Sequence, residues 1–335
     1  MFLAGDIGGT KTHLGVFSNE GGFRQPLVEA EFASARYPNF ESIVREFLRH
    51  VHQPVRMAVF GVAGPVVDGR AKITNLPWVM DEKKLGEELN VSSILLINDL
   101  EAIACAVPFL GPSDLCVLNK GDARSEGNVA IIAPGTGLGE AFLVWDGSGY
   151  REHASEGGHA DFAPNSFLED ELLRYLRKSH DHVSYEMVCS GQGIFNIYRF
   201  LRDRHPAEEP SWLSEELARE EDPTPTIVKA AVDSRNPCKL CVEALHVFVS
   251  ILGAEAGNMA LKILATNGVY IAGGMSRRIL SFLEDGRFVA SFRKKGRMTD
   301  LVSQMPVYVI LYPKVALLGV ACYAAKYMLK IKGSV

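Results

Sequence analysis

The segment LAGDIGGTKTHLGVF, residues 3–17, recurs in outline as VAIIAPGTGLGEAFL, residues 129–143. In this alignment Gly9-Thr10 lies opposite Gly135-Thr136, and apolar runs flank the glycine turn in both copies. Each copy is typical of a β-hairpin, and its glycines are predicted to supply the positive φ that such turns need. A repeat of this kind predicts two related domains, each opening with strand, glycine turn and strand.

The size and composition of the chain favour a two-domain globular protein. Its 335 residues exceed the ~100–200 usual for one domain, and 47% are hydrophobic against 22% charged. The net charge of −5 gives no basic surface for a polyanion, so no nucleic-acid partner is expected. The six cysteines are too sparse for a disulfide scaffold, and neither a secretory signal nor a membrane span is visible. We therefore expect a cytoplasmic protein that binds small molecules and no membrane.

Strands and helices alternate along the chain, which predicts an α/β fold. In the first half, the strands Met57–Val62 and Ser93–Ile97 precede a helix at Leu100–Val107. In the second half, a helical stretch near Val242–Ala265 precedes the strand Gly268–Ala272.

The last segment of the chain, residues 315–331, has the pattern of a helix with one apolar face. The stripe consists of Leu317, Val320, Ala321, Ala324 and Met328. Such a stripe must be buried, and we expect it to pack on the first domain. This places residues 1–108 and 315–335 in a small α/β domain and residues 109–314 in a large α/β domain.

Three conspicuous segments receive no functional role from their sequence. The acidic and proline-containing stretch from Arg202 to Pro225 is typical of solvated surface, and the basic patch Arg293–Arg297 is typical of a helix end. The pair Cys238 and Cys241 has no second ligand pair at metal spacing, so we interpret it as two small buried residues at a helix start.

Three glycine turns are candidates for binding a nucleotide. Turns of this kind expose backbone N–H groups that can surround phosphate oxygens, although a tight hairpin alone would also explain the first of them. The third turn follows a strand and precedes a helix predicted from about Ser276, where a nucleoside can lie against bare backbone. Asp6, which has no acidic counterpart in the second copy, is a candidate for Mg²⁺ binding through water. The candidate residues are Asp6, Gly8, Gly9, Thr10, Gly135, Thr136, Gly137, Gly273 and Gly274.

Asp99 is the candidate catalytic residue. It follows an apolar strand and begins a helix, the place where open α/β sheets bind ligands and where the helix terminus favours a charged carboxylate. An ionised Asp there can orient a hydroxyl group and accept its proton during phosphoryl transfer. A helix N-cap is the alternative interpretation of the same residue.

A second group of polar residues is suited to binding a sugar. Glu156 and His159 enclose two glycines, which predicts a bend rather than a helical metal half-site, so no metal ligands are assigned. Carboxylates and a histidine in such a bend can hydrogen-bond vicinal hydroxyls, with Asn98 and Glu186 as further partners. Asp99 completes the predicted substrate-binding set.

Together these motifs resemble the phosphate-1, phosphate-2 and adenosine motifs of the sugar kinase, heat-shock protein 70 and actin superfamily. Nearly the whole chain is similar to the bacterial glucokinase family, and the most specific match is SEGGHADFAPN at Ser155–Asn165. The other matching stretches are Gly5–Thr10, Ile97–Asp99, Gly135–Gly139, His182–Gly193 and Gly268–Gly274. The resemblance implies two actin-like (ribonuclease H-like) α/β domains flanking a cleft.

By this resemblance Asp99 is the base at the 6-hydroxyl of D-glucose, and Asn98, Glu156, His159 and Glu186 bind the sugar. It also implies ATP with Mg²⁺ and a homodimer. The continuation Lys11-Thr12-His13 is closer to the repressor, open-reading-frame and kinase family, but that family normally has a cysteine-rich zinc motif, and residues 161–190 contain only Cys189. The expected function is therefore a glucokinase. The alternatives are a kinase for mannose, fructose or N-acetylglucosamine, or a sugar-responsive regulator, for whose DNA-binding helices the strand beginning at Phe2 leaves no room.

Overall fold

The structure, a computed structural model, describes residues 1–18, 22–52, 54–73, 76–205 and 209–332. The chain divides into two compact units. Unit 1 consists of Met1–Gly111 together with the chain from Tyr312 onward, and unit 2 consists of Pro112–Leu311.

The strands form three sheets, two of which are large. In chain order they are β1 (Phe2–Ile7), β2 (Lys11–Phe17), β3 (Val28–Ala33), β4 (Met57–Val62), β5 (Val66–Val67), β6 (Arg70–Lys72), β7 (Val79–Asp81), β8 (Ser93–Asn98), β9 (Leu115–Asn119), β10 (Val129–Pro134), β11 (Leu138–Trp145), β12 (Tyr150–Ser155), β13 (Gly268–Ile271) and β14 (Val307–Ile310).

The helices account for most of the remaining chain. In chain order they are α1 (Phe40–Leu48), α2 (Glu82–Leu89), α3 (Asp99–Ala106), α4 (Phe167–Leu176), α5 (Glu186–Cys189), α6 (Gly191–Arg204), α7 (Ser211–Leu217), α8 (Thr224–Val232), α9 (Lys239–Ile263), α10 (Gly273–Arg278), α11 (Leu280–Leu283), α12 (Arg287–Arg293), α13 (Thr299–Ser303) and α14 (Val315–Lys332).

The two large sheets share one pattern of strand directions, which confirms the repeat seen in the sequence. In unit 1 the order is β3-β2-β1-β4-β8, with antiparallel pairing from β3 to β1 and parallel pairing from β1 to β8. In unit 2 the order β12-β11-β10-β13-β14 repeats these directions, and β9 adds an antiparallel edge. The hairpins β1–β2 and β10–β11 therefore occupy equivalent places in the two units.

The central strands of unit 1 are covered on both faces, as expected for parallel strands of an α/β sheet. All six residues of β4 are buried. On one face the apolar stripe of α14 packs against β1, β4 and α3 through Leu317, Val320 and Ala324. The final helix thus completes the unit that the first strand begins, as its apolar pattern predicts.

Unit 2 is organised around the 25-residue helix α9. Apolar residues surround this helix, and most of its length is buried among α5, α6, α8 and α12. Within the described ranges, α9 is the helix with the length and composition of a membrane span, and its burial is that of a core helix instead. Cys238 and Cys241, both buried, lie at its first turn as predicted.

Candidate active site

The first glycine turn, Gly8–Thr10, joins β1 to β2 in unit 1 and is held from beneath by Ser34. The hydroxyl of Ser34 donates to the carbonyl of Gly8 at 2.8 Å, and its backbone N–H donates to the carbonyl of Thr10 at 3.0 Å. Buried Thr12 lies 3.0 Å from the same hydroxyl. These bonds occupy the carbonyls of Gly8 and Thr10, and the N–H of Gly8 donates to the Lys11 carbonyl at 2.9 Å. Ser34 is distant in sequence, and no local pattern predicts its role.

The predicted positive φ is wrong for the first two glycine turns. None of Gly8, Gly9, Gly135 and Gly137 has a φ in the left-handed region. Space explains the best-defined case, because a β-carbon on Gly137 would collide with Oε2 of Glu186. Gly137 therefore serves the close approach of a neighbour rather than backbone handedness.

Asp6 and Asp99 lie at the carboxyl ends of two parallel strands, β1 and β8, that flank β4 in unit 1. Asp6 is paired in register with Gly61 of β4, and Asp99 directly follows β8 on the other side of β4. Ligands bind at this edge of open α/β sheets. The fold therefore brings the predicted base and the predicted Mg²⁺ carboxylate to one edge.

The two carboxylates interact through their charges. Burial raises the pKa of Asp6 to about 7, and the negative charge of Asp99 adds to the rise. A cation near Asp6 would relieve this repulsion, so the residues present suit a divalent metal. Within the described ranges, however, no group of three or more His, Cys, Asp or Glu side chains forms a ready-made metal site.

Asn98, rather than Asp99, caps helix α3. Its Oδ1 accepts from the N–H of Leu100 at 2.8 Å, and Oε2 of Glu101 accepts from the Asn98 N–H at 3.2 Å, which completes a capping box. The Asn98 amide also donates to the Gly64 carbonyl at 3.1 Å. The cap alternative for Asp99 therefore fails, and Asn98 retains one amide hydrogen for a ligand.

The second glycine turn is fixed to the start of helix α6 in unit 2. The N–H of Gly135 donates to the carbonyl of Gly137, and the N–H of Gly191 donates to the carbonyl of Gly135, both at 2.8 Å. Ser190 is the N-cap of α6, and its hydroxyl accepts from the Gly193 N–H at 3.1 Å. An anion at this turn would thus also lie near a helix N-terminus.

Three of the predicted sugar-binding side chains meet in unit 2. Nε2 of His159 lies 4.0 Å from Oε2 of Glu156, and Nδ1 lies 3.9 Å from Oε1 of Glu186. Gly157–His159 is a short 3-10 turn, as the paired glycines predict. All three side chains remain accessible to solvent, with Glu186 the most enclosed. They present alternating hydrogen-bond acceptors and a histidine, which suits a polyhydroxyl ligand.

Glu186 joins this group to the second glycine turn. While its Oε1 faces His159, its Oε2 accepts from the backbone N–H of Leu138 at 2.9 Å. Leu138 directly follows the turn, and Gly137 leaves the space that the Glu186 carboxylate occupies. One side chain therefore contacts both the predicted sugar subsite and the predicted phosphate turn.

The third turn contributes to a cavity of about 920 Å³ within unit 2. Gly273 has φ +89°, so glycine is required there, and helix α10 begins at Gly273 rather than near Ser276 as predicted. The cavity lining includes Gly274 of the third turn and Gly135 and Thr136 of the second. These two turns therefore open on one space large enough for a nucleoside.

Residues Glu221–Pro225 also line this cavity, where Glu221, Asp222 and Pro225 are exposed, as predicted for this stretch, and Thr224 is buried. The Thr224 hydroxyl donates to the Gly191 carbonyl at 2.9 Å, which fixes α8 to the start of α6. No local sequence pattern predicts this contact. Residues missed for the same reason are Gln192, Phe195, Lys229 and Arg278.

Comparison with solved structures defines the class of protein. A glucokinase from an Antarctic psychrotroph is 31% identical, with a TM-score of 0.79 over 96% of this chain and 98% of that one. A glucokinase from Balamuthia mandrillaris, solved in complex with glucose, has the same TM-score at 22% identity over 97% of this chain and 93% of that one, which shows the fold alone. The fold is that of the two-domain, actin-like sugar kinases.

Sequence comparison narrows the class. A family model described as Glucokinase matches residues 3–327. The glucokinase of Nostoc punctiforme is 42% identical over 341 residues, which cover 97% of this chain and 99% of that protein. The chain therefore belongs to the glucokinase family, whose members are ATP-dependent glucose kinases.

Proposed function

We propose that this protein transfers the γ-phosphoryl group of ATP to the 6-hydroxyl of D-glucose, giving glucose 6-phosphate and ADP. The observation that carries the proposal is the double contact of Glu186, with His159 on one side and the N–H that follows the phosphate turn on the other. A sugar held by Glu156, His159 and Glu186 would then lie beside groups suited to a phosphate chain.

Asp99 is the proposed general base. Its carboxylate lies at the sheet edge where ligands bind, and capping of α3 is already performed by Asn98. In the reaction Asp99 orients the 6-hydroxyl toward the γ-phosphorus and accepts its proton as the new O–P bond forms and ADP leaves. A loose transition state makes positioning the main requirement, so this base needs no strongly raised pKa.

The nucleotide is proposed to use all three glycine turns. Gly9 and Thr10 of unit 1 and Thr136 and Gly137 of unit 2 donate backbone hydrogen bonds to the phosphates, while the N–H groups of Gly8 and Gly135 stay bonded within their turns. The nucleoside occupies the cavity of unit 2 against Gly273 and Gly274. Asp6 would hold a Mg²⁺ through its water ligands, and the ion would supply charge neutralisation on the phosphate chain.

We further propose a cytoplasmic homodimer, in keeping with the family resemblance. Light scattering of the purified protein measures its mass in solution directly. A mass of one chain, 36.7 kDa, at micromolar concentration would contradict the dimer.

A coupled assay with a panel of sugars and donors tests the proposed reaction. We expect glucose with ATP and Mg²⁺ to give the highest kcat/KM, with mannose, fructose and N-acetylglucosamine well below it. In parallel assays, ADP or polyphosphate is supplied as the phosphoryl donor instead of ATP. Faster turnover of another hexose would change the assigned substrate, and turnover of no sugar would favour a non-catalytic regulator.

A further inference from the structure

Glu140 on β11 is a buried acidic residue that the proposed reaction does not use. Its side chain is 3% exposed, and its strand neighbours in register are Ile132 and Ser155. Oε1 of Glu140 has no hydrogen-bond partner among the residues that the structure describes. An ionised carboxylate with one buried oxygen that no protein donor reaches is costly, because the lost hydration of that oxygen is not compensated.

Glu140 lies directly beneath the turn that carries Glu156 and His159. A β-carbon on Gly157 would collide with Oε2 of Glu140, and one on Gly158 would collide with the carbonyl oxygen of Leu138. Glycine is therefore required at both positions between the sugar-binding residues, because the turn packs directly against β11. Any movement of the Glu140 carboxyl must be transmitted to Gly157, since no space separates them.

The charged and titratable groups that face Glu140 come from two helices. Burial raises the pKa of Glu140 to about 7, the negative charge of Glu255 on α9 adds to the rise, and Lys262 opposes it. Burial raises the pKa of the Cys189 thiol on α5, and the negative charges of Glu255 and Glu140 add to the rise.

Glu255, in contrast to Glu140, has donors. Its Oε2 accepts from the amide of Asn258 at 2.9 Å, and its Oε1 lies 3.4 Å from Nζ of Lys262. Lys295 donates to Oδ1 of the same Asn258 at 2.6 Å. Both carboxylate oxygens of Glu255 therefore have donors, whereas Oε1 of Glu140 has none among the residues that the structure describes.

We propose that Glu140 is a positioning residue for sugar binding, whose neutral carboxyl seats the Glu156–His159 turn and whose ionisation displaces it. This inference rests on the proposed function, because it assigns the turn to glucose binding. Ionised Glu140 would need a donor or water for Oε1, and the turn above it is the part of its surroundings that faces solvent. Glucose affinity should therefore be highest below pH 7 and fall as the pH rises through that value.

Glucose binding without nucleotide tests the proposal, because it separates affinity from turnover. Calorimetric titration of the full-length protein between pH 6 and 8.5 should show the wild-type Kd rising about tenfold, equivalent to about 1.4 kcal/mol. In Glu140→Gln, which keeps the shape of the neutral acid, the Kd should stay at its low-pH value throughout. Glu243→Gln, at an exposed position on α9, is the matched control and should follow the wild type.

A second variant tests the contact itself. Gly157→Ala pushes a methyl group against Glu140 and should weaken glucose binding at every pH, whereas Gly149→Ala, where a β-carbon meets nothing within 4 Å, should not. In steady-state assays the Glu140→Gln effect should appear in KM for glucose and leave kcat at saturation unchanged.

The outcomes separate this inference from the proposed function. Wild-type glucose binding with a pH-independent Kd, or a Glu140→Gln variant that keeps the wild-type pH dependence, would overturn the role of Glu140 alone. Normal glucose binding by Gly157→Ala would do the same. A wild-type protein that binds no glucose at any pH would overturn the proposed function, and this inference with it.

Discussion

A catalytic role can be proposed for Asp99 because the alternative role, capping of helix α3, belongs to another residue. Helix α3 needs a side-chain cap, and Asn98 provides it together with Glu101. Oδ1 of Asp99 accepts from the Leu100 N–H at 2.9 Å, which fixes the carboxylate and leaves its second oxygen outside this bond. A carboxylate held in one orientation at the edge of a parallel sheet is suited to receive a proton from a bound hydroxyl.

Asp99→Asn should lower kcat by at least ~10²-fold while glucose affinity changes little. Asparagine can accept the same Leu100 hydrogen bond but cannot accept a proton from the substrate. Steady-state kinetics and glucose titration measure the two effects, with Asp122→Asn on an exposed loop as the control. Turnover close to that of the wild type would refute the assignment of the base.

Asp6→Asn should make unfolding less dependent on pH. Because the pKa of Asp6 is raised to about 7 in the folded state from 3.8, the folded protein binds more protons between these values, and its stability falls as the pH rises from about 4 to about 7. Asparagine mimics the protonated acid and removes this loss. Thermal melts at pH 5.5 and 8, in buffer free of magnesium and nucleotide, should show a smaller difference in Tm for the variant. An unchanged difference would mean that Asp6 is ionised without penalty.

At the scale of elements, the turn Gly135–Gly137 is where two predicted subsites meet. The turn is fixed to α6 through Gly191 and to α5 through the bond between Leu138 and Glu186. Two helices and a hairpin therefore hold one short segment in place. Perturbing the segment at different glycines should affect different substrates.

Gly137→Ala should weaken glucose binding even when no nucleotide is present. The added methyl group collides with Glu186, which must then leave the Leu138 N–H and move relative to His159. Gly135→Ala is the matched comparison, because its β-carbon has open space, with the nearest atom at 4.0 Å. That variant should bind glucose normally and raise KM for ATP. Equal glucose affinity in the two variants would show that Glu186 does not couple the turn to the sugar.

The same elements show which parts of a site can be predicted from sequence. Residue type and spacing were sufficient for the hairpins, the strand before Asp99 and the bend at Gly157-Gly158. The reason for the glycines was mistaken, because the neighbour that needs the space, Glu186, lies far along the chain. The wall formed by Glu221–Pro225 was missed for a similar reason, since only the tertiary bond from Thr224 to Gly191 brings it to the cavity.

At the scale of the whole molecule, unit 1 depends on a close contact between α14 and α3. A β-carbon on Gly319 would collide with the carbonyl oxygen of Ala102, and one on Gly61 would lie 3.0 Å from Val320. The helices approach each other to backbone distance, so the last helix is an integral part of the core.

Gly319→Ala should therefore destabilise unit 1, although alanine favours helix formation. We expect a loss of about 1–3 kcal/mol in the free energy of unfolding, the usual cost of overpacking a close contact. Urea unfolding measures the size of the stability loss, and native-state hydrogen exchange measures its location. Gly149→Ala is the control. A variant as stable as the wild type, with full protection of β1 and β4, would contradict the close packing.

The architecture of the molecule was more predictable than its site. Hydrophobic period and the internal repeat depend on local sequence, and the observed strand directions match in both units. The apolar face of the final helix also predicted its packing. The contact between the Glu140 carboxyl and Gly157 could not be predicted from local sequence, because only the fold brings these two residues together.

Helix α14 is synthesised after unit 2 but packs within unit 1. Unit 2 is one uninterrupted stretch of chain, so on the ribosome it can acquire its native packing while the polypeptide is still growing. The sheet that holds Asp99 packs against α14, so it can complete its native packing only after that helix has been synthesised. During synthesis unit 2 can therefore reach its native packing before unit 1 does.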